Sequence, residues 1–321
     1  MKVALYTILA LIAFAANSLL CRMALTKEYI DPWNFTLIRL LGGAVCLSII
    51  MLLHTHQLQR QRTTARTLHN KPNNHANAGS KVTTLLNDTV TDNVFKDKGS
   101  WLSSLSLIIY ALCFSLAYVE LDTGTGALIL FAAVQFTMIG WGIYKKEQLS
   151  LIQWLSSLVA FAGFIYLMLP SAAVPSLFGA VIMMISGIAW GIYSIRGKVC
   201  VSPLRATGFN FIRSLVAIPL LLLAGFHYLS EISIEGLLLA SVSGAITSGI
   251  GYSLWYVAMP LLKSTQAAVV QFCVPVLAAA MGVIFLSEQL TLRFILAAAI
   301  ILSAVSVFIF SKERRKAVID L

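Results

Sequence analysis

Charge is scarce in this chain. Asp, Glu, Lys and Arg make up 11% of its 321 residues, hydrophobic residues make up 59%, and the mean hydropathy is +0.85. That much apolar surface cannot be covered by so few polar groups in water, so lipid is the expected solvent. The alternating polarity of a membrane barrel is also lacking, since runs such as Ala297 to Leu302 are continuously apolar. No Gly-rich phosphate loop, H-E-x-x-H or G-x-S-x-G element occurs, which removes support for ATP-driven pumping and for an intramembrane hydrolase. No enzyme activity and no cofactor is expected. The cysteines Cys21, Cys46, Cys113, Cys200 and Cys273 form no C-x-x-C pair and read as small buried hydrophobes. His54, His56, His69 and His75 crowd one polar stretch without a cysteine or a scaffold beside them, and no metal site is expected there.

What the chain has in abundance is apolar runs. A helix rises about 1.5 Å per residue and the hydrocarbon core is about 30 Å thick, so one span needs roughly 20 apolar residues. Runs of that kind fall near 3–21, 33–53, 101–119, 124–144, 150–169, 176–195, 206–226, 236–256, 264–286 and 290–310. The fold class expected is therefore all-α integral membrane, with about ten transmembrane helices. The first run resembles a signal peptide around Ala13 to Ala15, but it continues past that point and reads as an uncleaved span. Residues 54–100, rich in Asn, Thr and His, read as a flexible polar cytoplasmic loop, and 312–321 as a cytoplasmic tail.

The net charge of +10 does not indicate nucleic acid, because the basic residues sit in short segments between spans. With a cytoplasmic N-terminus, Lys145, Lys146, Arg196, Lys198, Arg205, Lys263 and the Lys312 to Lys316 tail all fall inside, against Arg22, Lys27 and Arg293 outside. The asymmetry places both termini in the cytoplasm and the protein in the inner (plasma) membrane.

The two halves are alike. Glu147-Gln148-Leu149-Ser150 follows the fourth run and Glu288-Gln289-Leu290-Thr291 the ninth. An odd number of spans per half, five, makes the halves opposite in orientation: two inverted five-helix repeats, an architecture suited to alternating access about a midplane site.

Several stretches also resemble a known family. Asn17 and Arg22 after Phe14 resemble the W-G-S-N-F-x-x-x-K/R stretch of EamA-type members of the drug/metabolite transporter superfamily, with Phe14 in place of Trp. Asp31-Pro32 followed by Arg39 resembles the opening of the family's second span. Trp190-Gly191 with Tyr193 resembles that of the sixth, and Arg213 echoes Arg39 at a longer spacing from its proline, Pro203. Pro275 and Glu288 resemble the family's ninth-span pattern, and Glu147 is the first-half counterpart of Glu288. The resemblance covers everything but 54–100, dividing the chain into a first repeat (1–53 and 101–170) and a second EamA repeat (171–311). It implies a secondary transporter, an exporter or exchanger of small organic metabolites or drugs, with proton coupling as an open option. A flippase of lipid-linked substrates and a non-transporting membrane sensor or enzyme are the alternatives. The partners implied are a small-molecule substrate and membrane lipid, without nucleic acid, as a monomer or a homodimer.

Polar groups in apolar runs are costly and face the bundle interior. Arg39 and Arg213 are expected to attract an anionic group or to clamp helix ends. Asn17, Gln135, Tyr193, Gln266 and Gln271 are candidates to line a substrate cavity or to bond helices together, with Trp190, Tyr252 and Trp255 as aromatic walls. Trp255 and Tyr256 are equally readable as interfacial anchors. Glu120 is the candidate for proton coupling, and Pro275 is expected to kink its span or to free a carbonyl.

Overall fold

The computed structural model describes residues 2–69, 94, 96–121, 123–147, 149–168, 177–286 and 292–311. Every regular element among them is helical: α1 (Lys2–Thr26), α2 (Pro32–His69), α3 (Trp101–Glu120), α4 (Thr123–Tyr144), α5 (Leu151–Met168), α6 (Leu177–Gly197), α7 (Pro203–Glu231), α8 (Ile234–Leu261), α9 (Ser264–Val270, then Cys273–Leu286) and α10 (Leu292–Phe310). Six of these are long and apolar enough to cross a membrane: α1, α2 over Pro32–Arg60, α3, α6, α7 and α8. Four shorter apolar helices accompany them, Ile129–Tyr144, Leu151–Gly163, Ser264–Ala278 and Ala299–Phe308. The loop expected from His54 starts later, because α2 continues in helical form to His69. Residues 70–93 and 95 of the loop lie outside the described residues.

Burial is the reverse of a water-soluble protein's. Asn17, Arg39, Asn210, Ser248 and Gln271 are buried, while Phe136, Leu177, Leu223 and Phe310 are exposed. A bundle in hydrocarbon gains nothing by hiding leucine from lipid and much by satisfying polar groups against one another.

Local chemistry sets the helix starts. Asp31 caps α2: Trp33 N and Asn34 N donate to its Oδ1 at 2.9 and 3.1 Å, and Pro32 takes the first helical position, where no N–H is needed. Asn34 Nδ2 then donates to Asp31 Oδ2 and to the Gly225 carbonyl of α7. The motif read from the sequence is thus a cap that fixes how deep Arg39 sits. In α9 the break falls at Gln271 and Phe272 rather than at Pro275. Proline crowds the carbonyl four residues before it, and Gln271 O instead accepts from Val274 N at 3.0 Å.

The connections sort into two groups. Asp97, before α3, accepts from Val201 N and Ser202 N between α6 and α7. Lys198 donates to Glu147 between α4 and α5, and Glu147 accepts from Ser264 N at the start of α9. The segments after α2, α4, α6 and α8 therefore meet at one end. Those after α1 and α7 meet elsewhere, where Ser233 N donates to Tyr29 O. The packing pairs α1 with α8 and α9, α6 with α3 and α4, α2 with α7, and α5 with α10.

Candidate functional site

Seven helices deliver polar or aromatic groups to one buried core between the two halves of the chain. Arg39 is at its centre, seven residues into α2 and so roughly 10 Å beyond the Asp31 cap. It is 1% exposed. Its Nε donates to Ser248 Oγ at 3.0 Å, and its Nη2 to Tyr252 OH at 2.6 Å and Tyr110 OH at 3.3 Å. The guanidinium also lies over the rings of Tyr110 and Phe114, 5.3 and 5.6 Å from their centroids. Its Nη1 is buried and has no hydrogen-bond partner among the described residues.

The backbone of α8 is adapted to this arginine. Over Ser243–Ile250 the helix widens to a π-helix, with Gly251 N–H reaching back to Ile246 O. The widening turns three hydroxyls inward toward Asn17: Ser243 Oγ and Thr247 Oγ1 donate to Asn17 Oδ1 at 2.7 and 3.1 Å, and Ser248 Oγ lies at 3.5 Å. The two backbones nearly touch here, because a methyl group added to Gly244 would run into the Arg39 carbonyl.

Aromatic rings close the core. Phe14 meets Trp190 edge-on at 5.0 Å, and Trp190 lies 4.7 Å from Tyr252 and 5.6 Å from Tyr193. Trp190 Nε1 donates to Gln271 Oε1 at 2.9 Å, and Gln271 Nε2 donates to Ala267 O at 3.1 Å. Gln135 Nε2 donates to Ala268 O at 2.7 Å, and its Oε1 is buried with no hydrogen-bond partner among the described residues. Of the residues expected from sequence, Asn17, Arg39, Trp190, Tyr193, Tyr252 and Gln271 come together here, and Gln135 flanks them on α4. Trp255 and Tyr256 are buried and bonded to Ser194 and the Tyr193 carbonyl, so they are not interfacial anchors.

Arg213 does not join the core. Its Nη1 donates to Lys98 O and its guanidinium covers the Trp101 ring at 5.4 Å, which clamps α7 to the start of α3. The helix register explains the difference. Seven residues past Pro203, the depth that Arg39 has past Pro32, stands Asn210, fully buried, with Oδ1 accepting from Ser100 N and Nδ2 without a hydrogen-bond partner among the described residues. Equal spacing from the two prolines was the signal that identifies Asn210. Tyr110, Ser243, Thr247 and Ser248 were also missed, and the i, i+4 spacing of Ser243 and Thr247 was the trace they left. Glu120 is the exposed last residue of α3, ten residues and so about 15 Å along the helix from Tyr110. Glu288 lies outside the described residues.

Glu147 forms a second, separate cluster. Lys146, at φ 59°, is the left-handed residue that ends α4, with Lys146 N bonding Ile143 O and Glu147 N bonding Gly142 O. This turn aims the carboxylate at the start of α9. Oε1 accepts from Ser264 N at 2.9 Å and Lys198 Nζ at 3.4 Å, and Oε2 from Thr265 N and Oγ1 at 3.1 and 3.0 Å. Burial alone would raise its pKa, but the bonds from Ser264 and Thr265 and the Lys198 charge together hold it below the usual carboxylate value. A folded pKa below the unfolded one gives stability that is present above about pH 4.3 and lost as pH falls through the folded value. Glu147→Gln is therefore expected to lower the melting temperature by a constant amount from pH 7 to about pH 5. The two proteins should converge in stronger acid. Melting curves that differ equally at every pH would show that the charge is not what holds the cluster.

These features define a polytopic membrane protein with a buried polar and aromatic core between its halves. Residues 177–310 match the EamA-like transporter family. An uncharacterized protein of Pseudomonas aeruginosa is 39% identical over 313 residues, 98% of this chain and 96% of that one. An uncharacterized transporter of Archaeoglobus fulgidus is 26% identical, over 63% of this chain and 73% of its own, and one of Bacillus subtilis 21% identical, over 66% and 77%. A solved structure titled only as the crystal structure of a protein shares the fold at a TM-score of 0.67 and 14% identity, covering 95% of this chain and 96% of that one. The chain belongs to the EamA-like transporter family of the drug/metabolite transporter superfamily.

Proposed function

We propose that this membrane transporter is a gradient-driven exporter or exchanger of small organic metabolites in the inner membrane. It works by alternating access between two inverted five-helix halves, with both termini cytoplasmic. The observation that carries the reading is the Arg39 core, a costly buried polar site assembled from α1 to α3 on one side and α6, α8 and α9 on the other. The pairing of helices supports the repeat: advancing each helix number by five exchanges the α1 contacts with α8 and α9 for the α6 contacts with α3 and α4. The six long and four shorter apolar helices support ten spans. Asn17, Arg39, Trp190, Tyr193, Tyr252 and Gln271 are the proposed substrate contacts. Glu147 and Pro275 shape the ends and bend of the bundle, and Glu120 is the proposed proton acceptor if the driving ion is H⁺.

A flippase would need a lateral opening into this core. The apolar groove of about 580 Å³ on the bundle's flank is lined by α5 and α10, neither of which reaches Arg39, and it does not favour that reading. The test is reconstitution of the full chain in proteoliposomes loaded with a metabolite extract, followed by mass spectrometry. Solutes should leave faster than from protein-free vesicles. Release equal to the control, with lipid scrambling instead, would overturn transport of soluble metabolites.

A further inference from the structure

Arg39 brings a full positive charge into the bundle interior, and among the described residues no carboxylate neutralises it there. Of the thirteen Asp and Glu residues, the seven described ones all stand at helix ends or between helices, and the remaining six fall outside the apolar runs. The groups facing the guanidinium are hydroxyls and rings: Ser248, Tyr252, Tyr110 and Phe114. Hydroxyls can accept its hydrogen bonds but cannot cancel its charge, and a buried uncompensated cation is costly.

We infer that the Arg39 core is a binding site for a small organic monoanion, a single carboxylate on an apolar or aromatic body, with buried Nη1 as the docking point. This rests on the transport reading above and names its substrate class. Nη1 carries two N–H donors and has no partner among the described residues, so it can donate to an oxyanion at no cost in existing bonds. Two of the three hydroxyl contacts are short and hold the guanidinium against α8. The third, Tyr110 on α3, is loose, at 3.3 Å from Nη2 and 3.4 Å from Tyr252 OH. A carboxylate that takes Nη1 and displaces Tyr110 from Nη2 gains a bidentate pair, and it removes one of the bonds between α3 and the arginine while the Thr36–Ser115 bond between α2 and α3 stays in place.

Charge arithmetic narrows the class. One guanidinium neutralises one negative charge, so a dianion would leave an excess buried charge. A zwitterion would bring an ammonium that finds no carboxylate in the core among the described residues. The rings of Phe14, Trp190 and Tyr252 supply a wall for an apolar body.

The test uses three probes that differ only in charge: phenylacetate, phenylacetamide and phenethylammonium. Each is titrated against the full-length protein in phosphatidylcholine nanodiscs, read by tryptophan fluorescence and by thermal shift. The carboxylate is expected to bind at least about tenfold more tightly than the amide, and the ammonium not to saturate. Arg39→Gln should erase the preference and Arg39→Lys should retain it. Equal affinity for carboxylate and amide, no saturable binding of the carboxylate, or an unchanged preference in Arg39→Gln would each overturn the inference. Loss of the carboxylate signal in phosphatidylglycerol nanodiscs would also overturn it, by assigning the site to a lipid headgroup. Because the probe comparison is made on the unaltered protein, it stands even if a variant fails to fold. Counterflow in proteoliposomes separates the two readings. Binding of phenylacetate without exchange would remove transport and support the anion site, whereas amide exchange as fast as carboxylate exchange would remove the anion site and leave transport standing.

Discussion

Gly244→Val is expected to destabilise the purified protein by about 1–3 kcal/mol and to abolish transport. A side chain at this position has no room, because the first carbon beyond the backbone already meets the carbonyl, carbonyl carbon and Cα of Arg39. Backbone atoms cannot rotate aside, so α8 must move away from α2. That movement stretches the 3.0 Å bond from Arg39 Nε to Ser248 and pulls the π-helical stretch from Asn17. The natural control is Gly140 in α4, where an added methyl group meets nothing within 4 Å. There alanine should be neutral or should stabilise by up to about 1 kcal/mol through helix propensity alone. Thermal unfolding in detergent, run on both variants, reads the difference. Equal melting temperatures for the two would mean that the α2–α8 approach is not as close as described.

Much of this arrangement could be read without coordinates, and the reasons are particular. Apolar runs report helices directly because a backbone in lipid must bond to itself, and the segments found by hydropathy agree in position with the described helices, six of them long and apolar enough to cross a membrane. The exception is α2, which outruns its apolar part to His69. Hydropathy reports where lipid ends, and a helix continues past that point as long as its backbone bonds hold. Arg39 was legible because an arginine in an apolar run is rare and expensive. Of the two readings open for Arg213, its bond to the Lys98 carbonyl fits the clamp; its match in type to Arg39 does not extend to position, because depth from the capping proline selects Asn210. The π-helical stretch was not legible, since Ser, Gly, Ala and Thr in a helix are read first as packing residues. Only the tertiary contact with Asn17 turns their hydroxyls into part of a site. Trp255 was ambiguous because tryptophan suits both an interface and a buried hydrogen bond. Its 3.0 Å bond to Ser194 decides the case.

Arg39→Met is expected to move stability and function in opposite directions. Methionine is long, unbranched and apolar, so it refills most of the space and removes the charge. The hydroxyls that faced the guanidinium are already close to one another, with Ser248 Oγ at 3.3 Å and Tyr110 OH at 3.4 Å from Tyr252 OH, and they can bond among themselves once it is gone. An arginine at the centre of a span costs about 2.5–3.5 kcal/mol on an insertion scale. Replacing buried ionic groups with well-packed apolar ones is often neutral or stabilising provided no opposite charge is left behind, and here the facing groups are neutral hydroxyls. The melting temperature should therefore hold or rise, while transport falls by at least about 100-fold, a loss of roughly 2.7 kcal/mol in substrate and transition-state interaction. Gly244→Val breaks the same site by lowering both quantities, so the two variants distinguish a residue kept for the substrate from one kept for the fold. If Arg39→Met instead lowered the melting temperature as far as Gly244→Val does, Arg39 would be a structural clamp between α2, α3 and α8. Its unpaired Nη1 would then be a cost that the bundle tolerates for rigidity.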